Sequence, residues 1–418
     1  MKILHTADWH LGNNFHGYDR TGEHRHFLDW LLGQLRSRQP DALVVAGDVF
    51  DSANPSSRAE QLLFDFLQQA TEAVPGLQIV LIAGNHDSAA RLEAPAALLK
   101  PLNIYVRGTV HFTEAGEPDF DYYLLPLAPR TEREAACVCM ALPYLRGGDY
   151  PAGMTPEEGL RFFFHEMHRS LGESDFAGLP VVALAHFYAA GAEVCEGEHS
   201  ERLVVGGQDC VRANVVGSGV AYTALGHLHK AQRVDGRDNV RYAGSALPMS
   251  FSERGYRHGA DCVTLGPGGE VEVERLDYNP LRHLMAIPAQ GRAASVKEVF
   301  DEISGLPLRR KGDDGADWPY LEIRIEEQQP EPSLQHDVCE ALTDRAVHLC
   351  RLVRVRPETA PADNAAASSA ADTPDTLRQA GPLQLACRYF ESRFAQPMPQ
   401  PLIDRFKEAQ AEAEADNA

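Results

Sequence analysis

From residue 1 to about 110 the chain alternates two patterns. Short apolar runs, "KILHTAD", "DALVVAGD" and "LQIVLIAGN", read as strands. Between them, residues 21 to 38 and 57 to 73 carry apolar positions at helical spacing and predict amphipathic helices. This is the α/β manner of building a sheet. Each strand ends in a polar cluster, and in open α/β sheets ligands gather outside the carboxyl ends of the strands.

From about 120 to 280 strand signals come more densely: "DYYLLPLA", "VCMALPYL", "VVALAHF", "AYTALGHLH", "VRYAGSA", "ADCVTLG" and "VEVERLD", interrupted by a helix near 156 to 171. The pattern predicts a second sheet packed on the first, a two-sheet α/β sandwich with helices outside, so that residues 1–280 form one catalytic domain. Beyond Pro280, "LMAIPA", a helix near 295 to 304, "YLEIRIEE", a helix near 333 to 346 and "CRLVRVRP" predict a small α+β domain over 281–356, built as β-α-β-α-β. Residues 357–376, rich in Ala, Ser, Asp and Pro, have too little apolar content to fold and read as a flexible linker. A helical tail is expected over 377–410. In it, Leu383, Leu385, Tyr389, Phe390 and Phe394 form an apolar face with no domain left to cover it, suited either to docking on its own chain or to another protein's helices.

Composition narrows the class. At 418 residues the chain is long enough for two or three domains, and 44% hydrophobic with 24% charged residues is ordinary globular usage. "MKILHTADWH" lacks a secretory apolar core and no stretch approaches a membrane span, so a cytoplasmic protein without a membrane contact is expected. Eight cysteines without a C-x-x-C pair read as small buried hydrophobes in a reducing compartment. A net charge of -21 argues against coating nucleic acid unaided. It does not exclude a nuclease, because bound divalent cations bring positive charge to a phosphate.

The candidate chemistry lies at the strand ends. Asp8 and His10 stand two apart on the end of the first strand, Asp48 and Asp51 follow the second, and Asn85, His86 and Asp87 the third. His186 ends "VVALAH", and His227 and His229 end "AYTALGHLH", where strand alternation would aim both rings the same way. Singly, each has a bland reading: a turn cap for Asp8, a loop exit at Gly47-Asp48, a helix cap for Asp87, a core histidine for His186. Together, hydrophobic strand, small residue, then ligand recurs across five segments and points to metal. A two-metal phosphoesterase needs a bridging carboxylate and neutral oxygen and imidazole ligands, and Asp8, His10, Asp48, Asn85, His186, His227 and His229 supply them. A structural zinc site would prefer cysteine and needs only four ligands. His86 stands beside a ligand, free to serve as a general acid or to steady the leaving oxygen.

These motifs, in this order, resemble the calcineurin-like metallophosphoesterases. "KILHTADWHLG", "DALVVAGDVFD", "AGNHDS", "ALGHLHKAQ" and "VRYAGSALPMSF" are most similar to the bacterial DNA-repair nucleases of that superfamily, from Met1 to about Tyr278 and more faintly to the tail. The resemblance implies Asp8, His10, Asp48 and His229 around one ion, with Asp48 bridging to a second held by Asn85, His186 and His227. It implies manganese as the working ion, His86 as the catalytic histidine, and a capping role for the small domain. It also implies hydrolysis of DNA phosphodiesters, a coiled-coil ATPase partner met by the tail, and a dimer of nuclease subunits within a heterotetramer. Asp51 stands where archaeal and eukaryotic relatives carry a histidine, and no proton-transfer role is assigned to it. The rivals are a phosphomonoesterase or other phosphodiesterase of the superfamily, and a non-catalytic regulatory subunit that keeps the metal site as a staple. Ser52 occupies the position at which protein phosphatases of this type carry arginine. Arg309, Arg310 and Lys311 are a candidate phosphate contact whose simpler reading is a solvated loop.

Overall fold

The computed structural model describes residues 1–193, 210–327 and 333–355, together with scattered positions between 383 and 407. The chain opens with β1 (Lys2–Thr6), a two-strand hairpin of β2 (Asn14–Phe15) and β3 (Tyr18–Asp19), α1 (Thr21–Arg38), β4 (Ala42–Ala46), α2 (Ser57–Ala73) and β5 (Gln78–Ile82). Two short helices, α3 (Ala89–Glu93) and α4 (Ala96–Leu99), lead to β6 (Ile104–Arg107). Next come β7 (Leu124–Leu127), β8 (Cys137–Ala141), α5 (Pro156–Glu173), β9 (Val181–His186), a minor pair β10 (Ala189–Ala190) and β11 (Val211–Arg212), and β12 (Val220–Gly226). β13 (Gln232–Val234), β14 (Arg237–Tyr242), β15 (Gly259–Leu265) and β16 (Val271–Asp277) follow.

Two six-stranded sheets face each other, in the orders β16-β15-β1-β4-β5-β6 and β13-β14-β12-β9-β8-β7. The α/β sandwich is therefore present, with one correction. The last two predicted strands do not extend the second sheet; β15 pairs antiparallel with β1 and carries β16 to the edge of the first sheet. Strand alternation says which face is buried but not which sheet receives it, so the pattern alone left this open. Between the sheets lie Ile3, Val44, Val80, Val182, Leu184 and Val263, all buried. α1 and α2 cover the first sheet through Phe27, Leu31 and Phe66, and α5 covers the second through Phe163, Phe164 and Met167. Central strands β4 and β9 are buried at every position, as expected for parallel strands covered on both faces.

A third sheet, β17 (Leu284–Ile287), β18 (Tyr320–Glu326) and β19 (His348–Val355), is parallel and carries α6 (Val296–Ser304) and α7 (Leu334–Ala341). It has its own core, with Val299, Ile303, Leu321, Ile323 and Val338. α7 stops at Ala341, five residues short of the expected helix end. Phe15, Phe251 and Tyr320 form a separate cluster, so the hairpin after β1 touches this sheet. The chain divides into compact units Met1–Arg356 and Pro357–Ala418. The expected linker lies outside the described residues. So do Leu385, Tyr389 and Phe394 of the tail, where Leu383, Ala386, Cys387 and Phe390 are helical. Cys137, Cys139 and Cys262 are buried as expected, but Cys210 and Cys339 are exposed. Among the described residues no helix is long and apolar enough to cross a membrane.

Candidate metal centre

Five strand ends from both sheets converge. β1 stops at Thr6, and the loop after it is stitched to the loop after β4: the N–H groups of Asp8, His10 and Leu11 donate to the carbonyls of Gly47, Asp48 and Val49 at 2.9 to 3.0 Å. Asp8, His10, Asp48 and His227 all hold positive φ, between 47° and 105°, although none is glycine. A non-glycine residue persists there only when its surroundings impose it, and such strain gathers at functional sites. It also corrects the expectation that Asp8 with His10, and His227 with His229, project from strands. Each pair has left its strand, and strand alternation does not set its direction.

His227 and His229 indeed go to different places. His227 Nδ1 lies 3.0 Å from Asn85 Oδ1, and His186 Nε2 lies 2.9 Å from the same oxygen. His229 instead packs its ring 5.2 Å from that of His10. Asp48 stands between the groups, with Oδ2 3.4 Å from His186 Nε2 and 3.8 Å from His10 Nε2. Asp8, Asp48 and His186 thus offer one cluster of closely spaced ligand atoms, and His10, Asp48 and His86 another, sharing Asp48.

Glycines permit this approach. A Cβ on Gly84 would lie 2.2 Å from Asp48 Oδ1, and one on Gly47 2.4 Å from His186 Nδ1. Asp87 does not cap the helix that follows. Its buried carboxylate accepts the N–H groups of Val49 (3.1 Å), Phe50 (2.8 Å) and Gly84 (2.8 Å), locking the second and third ligand loops together.

The electrostatics suit cations. Burial pushes the Asp8 carboxyl up to about 7, against the pull of His186 and His229. Burial would raise Asp48 as well, but His186, by charge and hydrogen bond, outweighs it and holds Asp48 well below the carboxylate range. Burial acts to lower His186, yet Asp48 and Asp8 win and lift it to about 9. With no metal ion present the buried site draws protons toward Asp8 and His186 while Asp48 stays charged, and a divalent ion would take the place of those protons. Burial lowers His227 to about 3 and also lowers His10, leaving neutral imidazoles ready to coordinate. Buried His10 has Asp51 Oδ1 3.4 Å from Nδ1, and no hydrogen bond meets its Nε2, the nitrogen a metal would satisfy. The residues present therefore fit divalent ions.

Outer partners complete the site. His186 Nδ1–H donates to the Ala46 carbonyl at 2.8 Å, which leaves Nε2 as its ligand atom. His229 Nδ1 lies 3.1 Å from the buried Glu253 carboxylate, whose other oxygen accepts the Met249 N–H. Glu253 was not found from sequence: it follows no strand end, and only the fold brings it to His229. The His86 backbone N–H donates to Asp48 Oδ1 at 2.9 Å, and its Nδ1 lies 3.0 Å from the Asp51 carbonyl. Arg309 stacks over Trp318 at 4.6 Å in an exposed loop between α6 and β18.

Ligands from both sheets meeting over one shared carboxylate are the mark of a metal-dependent phosphoesterase fold. Residues 1–231 match the family described as calcineurin-like phosphoesterase, and residues 280–394 match the type 5 capsule protein repressor C-terminal domain. The chain is 38% identical over 371 residues to the SbcD component of the SbcCD nuclease of Rhodobacter capsulatus, covering 86% of this chain and 89% of the relative. It is 33% identical to the corresponding SbcD components of Escherichia coli (72% and 74% covered) and of Bacillus subtilis (78% and 80%). The chain belongs to the calcineurin-like phosphoesterases and, within them, to the SbcD family.

Proposed function

We propose that this chain is a metal-dependent DNA nuclease, a double-strand exonuclease and single-strand or hairpin endonuclease that works with an SbcC-type ATPase in repair and recombination. The observation that carries the reading is the pair of ligand clusters joined at Asp48, one with Asp8 and His186 and the other with His10 and His86. Asp8, His10, Asp48 and His229 would hold one ion, and Asp48, Asn85, His186 and His227 the other. The relatives' name supports a nuclease acting as one component of a complex.

When bound, two divalent cations neutralise the phosphoryl oxygens and activate a water nucleophile for in-line displacement. The chain's own residues do the rest. Asp48, held by the His86 backbone N–H, would be the carboxylate common to both ions. His86 Nδ1–H donates to the Asp51 carbonyl, so Nε2 is the atom that would protonate the departing sugar oxygen, from an imidazolium that has first taken a second proton from solvent. Manganese is the ion we assign on the resemblance to the family, although four imidazoles with two carboxylates also suit iron or zinc. Residues 281–356 would cap the site, the tail at 377–410 would bind the ATPase, and two nuclease subunits would pair within a cytoplasmic heterotetramer.

The test is cleavage of end-labelled duplex and single-stranded DNA with manganese, magnesium or chelator, with and without the ATPase partner, beside His86→Gln. Manganese-dependent cutting that falls by about 10²–10⁴ in the variant, with bound metal unchanged, supports the reading. Hydrolysis of phosphomonoesters alone would shift it to the phosphatase rival. Tightly held metal with no hydrolysis of any ester would shift it to the regulatory one.

A further inference from the structure

Arg20 and Glu23 open helix α1, and both are buried, at 0% and 1% exposure. Taking an ion pair out of water is costly unless its donors and acceptors are met. Here they are met by residues that lead in two directions. Arg20 Nε and Nη2 fork onto the two Glu23 oxygens at 3.1 and 3.0 Å. On one side, Glu23 Oε2 accepts the Tyr320 hydroxyl at 2.7 Å, and Tyr320 lies in β18 of the small sheet. On the other, Arg20 Nη1 donates to the Pro248 carbonyl at 2.7 Å and to Asn13 Oδ1 at 3.4 Å. Asn13 Nδ2 donates in turn to Asp51 Oδ1 at 3.0 Å, and the Asp51 carbonyl is the partner of His86 Nδ1.

Chemistry fixes the sense of every link. A guanidinium only donates and a carboxylate only accepts, so the Asn13 amide, held between one of each, has a single satisfied orientation. We infer that Asn13, with Arg20, Glu23 and Tyr320 behind it, is a positioning residue for His86: the chain Tyr320–Glu23–Arg20–Asn13–Asp51 aims His86 Nε2 at the leaving oxygen and ties that aim to the seat of the small sheet. The Phe15, Phe251 and Tyr320 cluster packs along the same path, and Arg20 lies 5.1 Å from the centre of the Phe15 ring. Asp51 Oδ1 is also 3.4 Å from His10 Nδ1, so a change at Asn13 could instead act through a metal ligand. The inference rests on His86 as proton donor, and the experiment separates the two.

The full chain, with its ATPase partner where cutting requires it, is assayed on DNA and on bis(p-nitrophenyl) phosphate, with manganese. p-Nitrophenolate departs without a proton, whereas a sugar alkoxide needs one. His86→Gln first establishes the acid role: it should depress DNA cleavage far more than reporter hydrolysis. Equal losses in His86→Gln would defeat the underlying assignment. Given that discrimination, Asn13→Ala should lower kcat on DNA by about tenfold, the worth of one positioning hydrogen bond, while KM, reporter turnover and bound manganese stay within about twofold. Tyr320→Phe, which deletes a single hydroxyl, should shift kcat the same way and less. No loss in Asn13→Ala, or equal loss on both substrates with reduced metal, overturns the inference.

Discussion

The backbone N–H of His227 donates to Asp8 Oδ1 at 2.9 Å, joining residues 219 apart in the chain and one sheet to the other. Gly226 makes the approach possible, since a Cβ there would stand 1.8 Å from the Ala46 carbonyl oxygen and 2.9 Å from His186 Nδ1. Gly226→Ala should therefore part the two strand ends. We expect a stability loss of about 1–3 kcal/mol by urea unfolding and reduced metal content. An unchanged unfolding midpoint with full metal would contradict this account of the junction.

Glu253 orients His229 through Nδ1, so removing its charge should leave the ligand in place but misaimed. Glu253→Gln is expected to weaken metal affinity by about 10–100-fold, read by competition with a chelating dye. A fold defect would show in the circular dichroism spectrum of the same sample. Normal affinity would remove Glu253 from the site.

Acid should unfold the chelated protein through its buried histidines. Burial lowers His5 to about 4, His24 to about 3 and His258 to about 4. Their folded values lie below the unfolded 6.5, so the stability they represent is present above pH 6.5 and is lost as pH falls toward 3 to 4. Each costs about 1.4 kcal/mol per pH unit in that window. Neither ring nitrogen of His24 has a hydrogen-bond partner, so His24→Leu should cost little at pH 7 and make stability fall less steeply between pH 6 and 4.5. Parallel pH curves for wild type and variant would refute this.

If residues 377–410 carry the partner contact, their deletion should leave hydrolysis of bis(p-nitrophenyl) phosphate intact and abolish co-elution with the ATPase on a sizing column. Co-elution by the truncated chain would place the contact elsewhere.

Most elements could be read in advance because their signals are local. α1 and α2 span the residues predicted, Thr21–Arg38 and Ser57–Ala73, since helical amphipathicity repeats within a few turns. The strands preceding Asp8, Asp48, Asn85, His186 and His227 were legible as apolar runs, and the ligand types stood out because each follows a strand. The hairpin β2–β3 and strand β6 carried too short a pattern to be seen.

What the sequence determined alone was the set of strands and helices and the chemistry waiting at their ends, because hydrophobic period and residue type are properties of neighbours in the chain. Tertiary structure decided the return of β15 to β1, the three N–H groups gathered by Asp87, and Glu253 behind His229. It also turned His227 away from its strand and set His24 and Arg20 in the interior. Each depends on which distant segments touch, and that is settled by the packing of two sheets, where burial and hydrogen-bond satisfaction act on residues far apart in sequence.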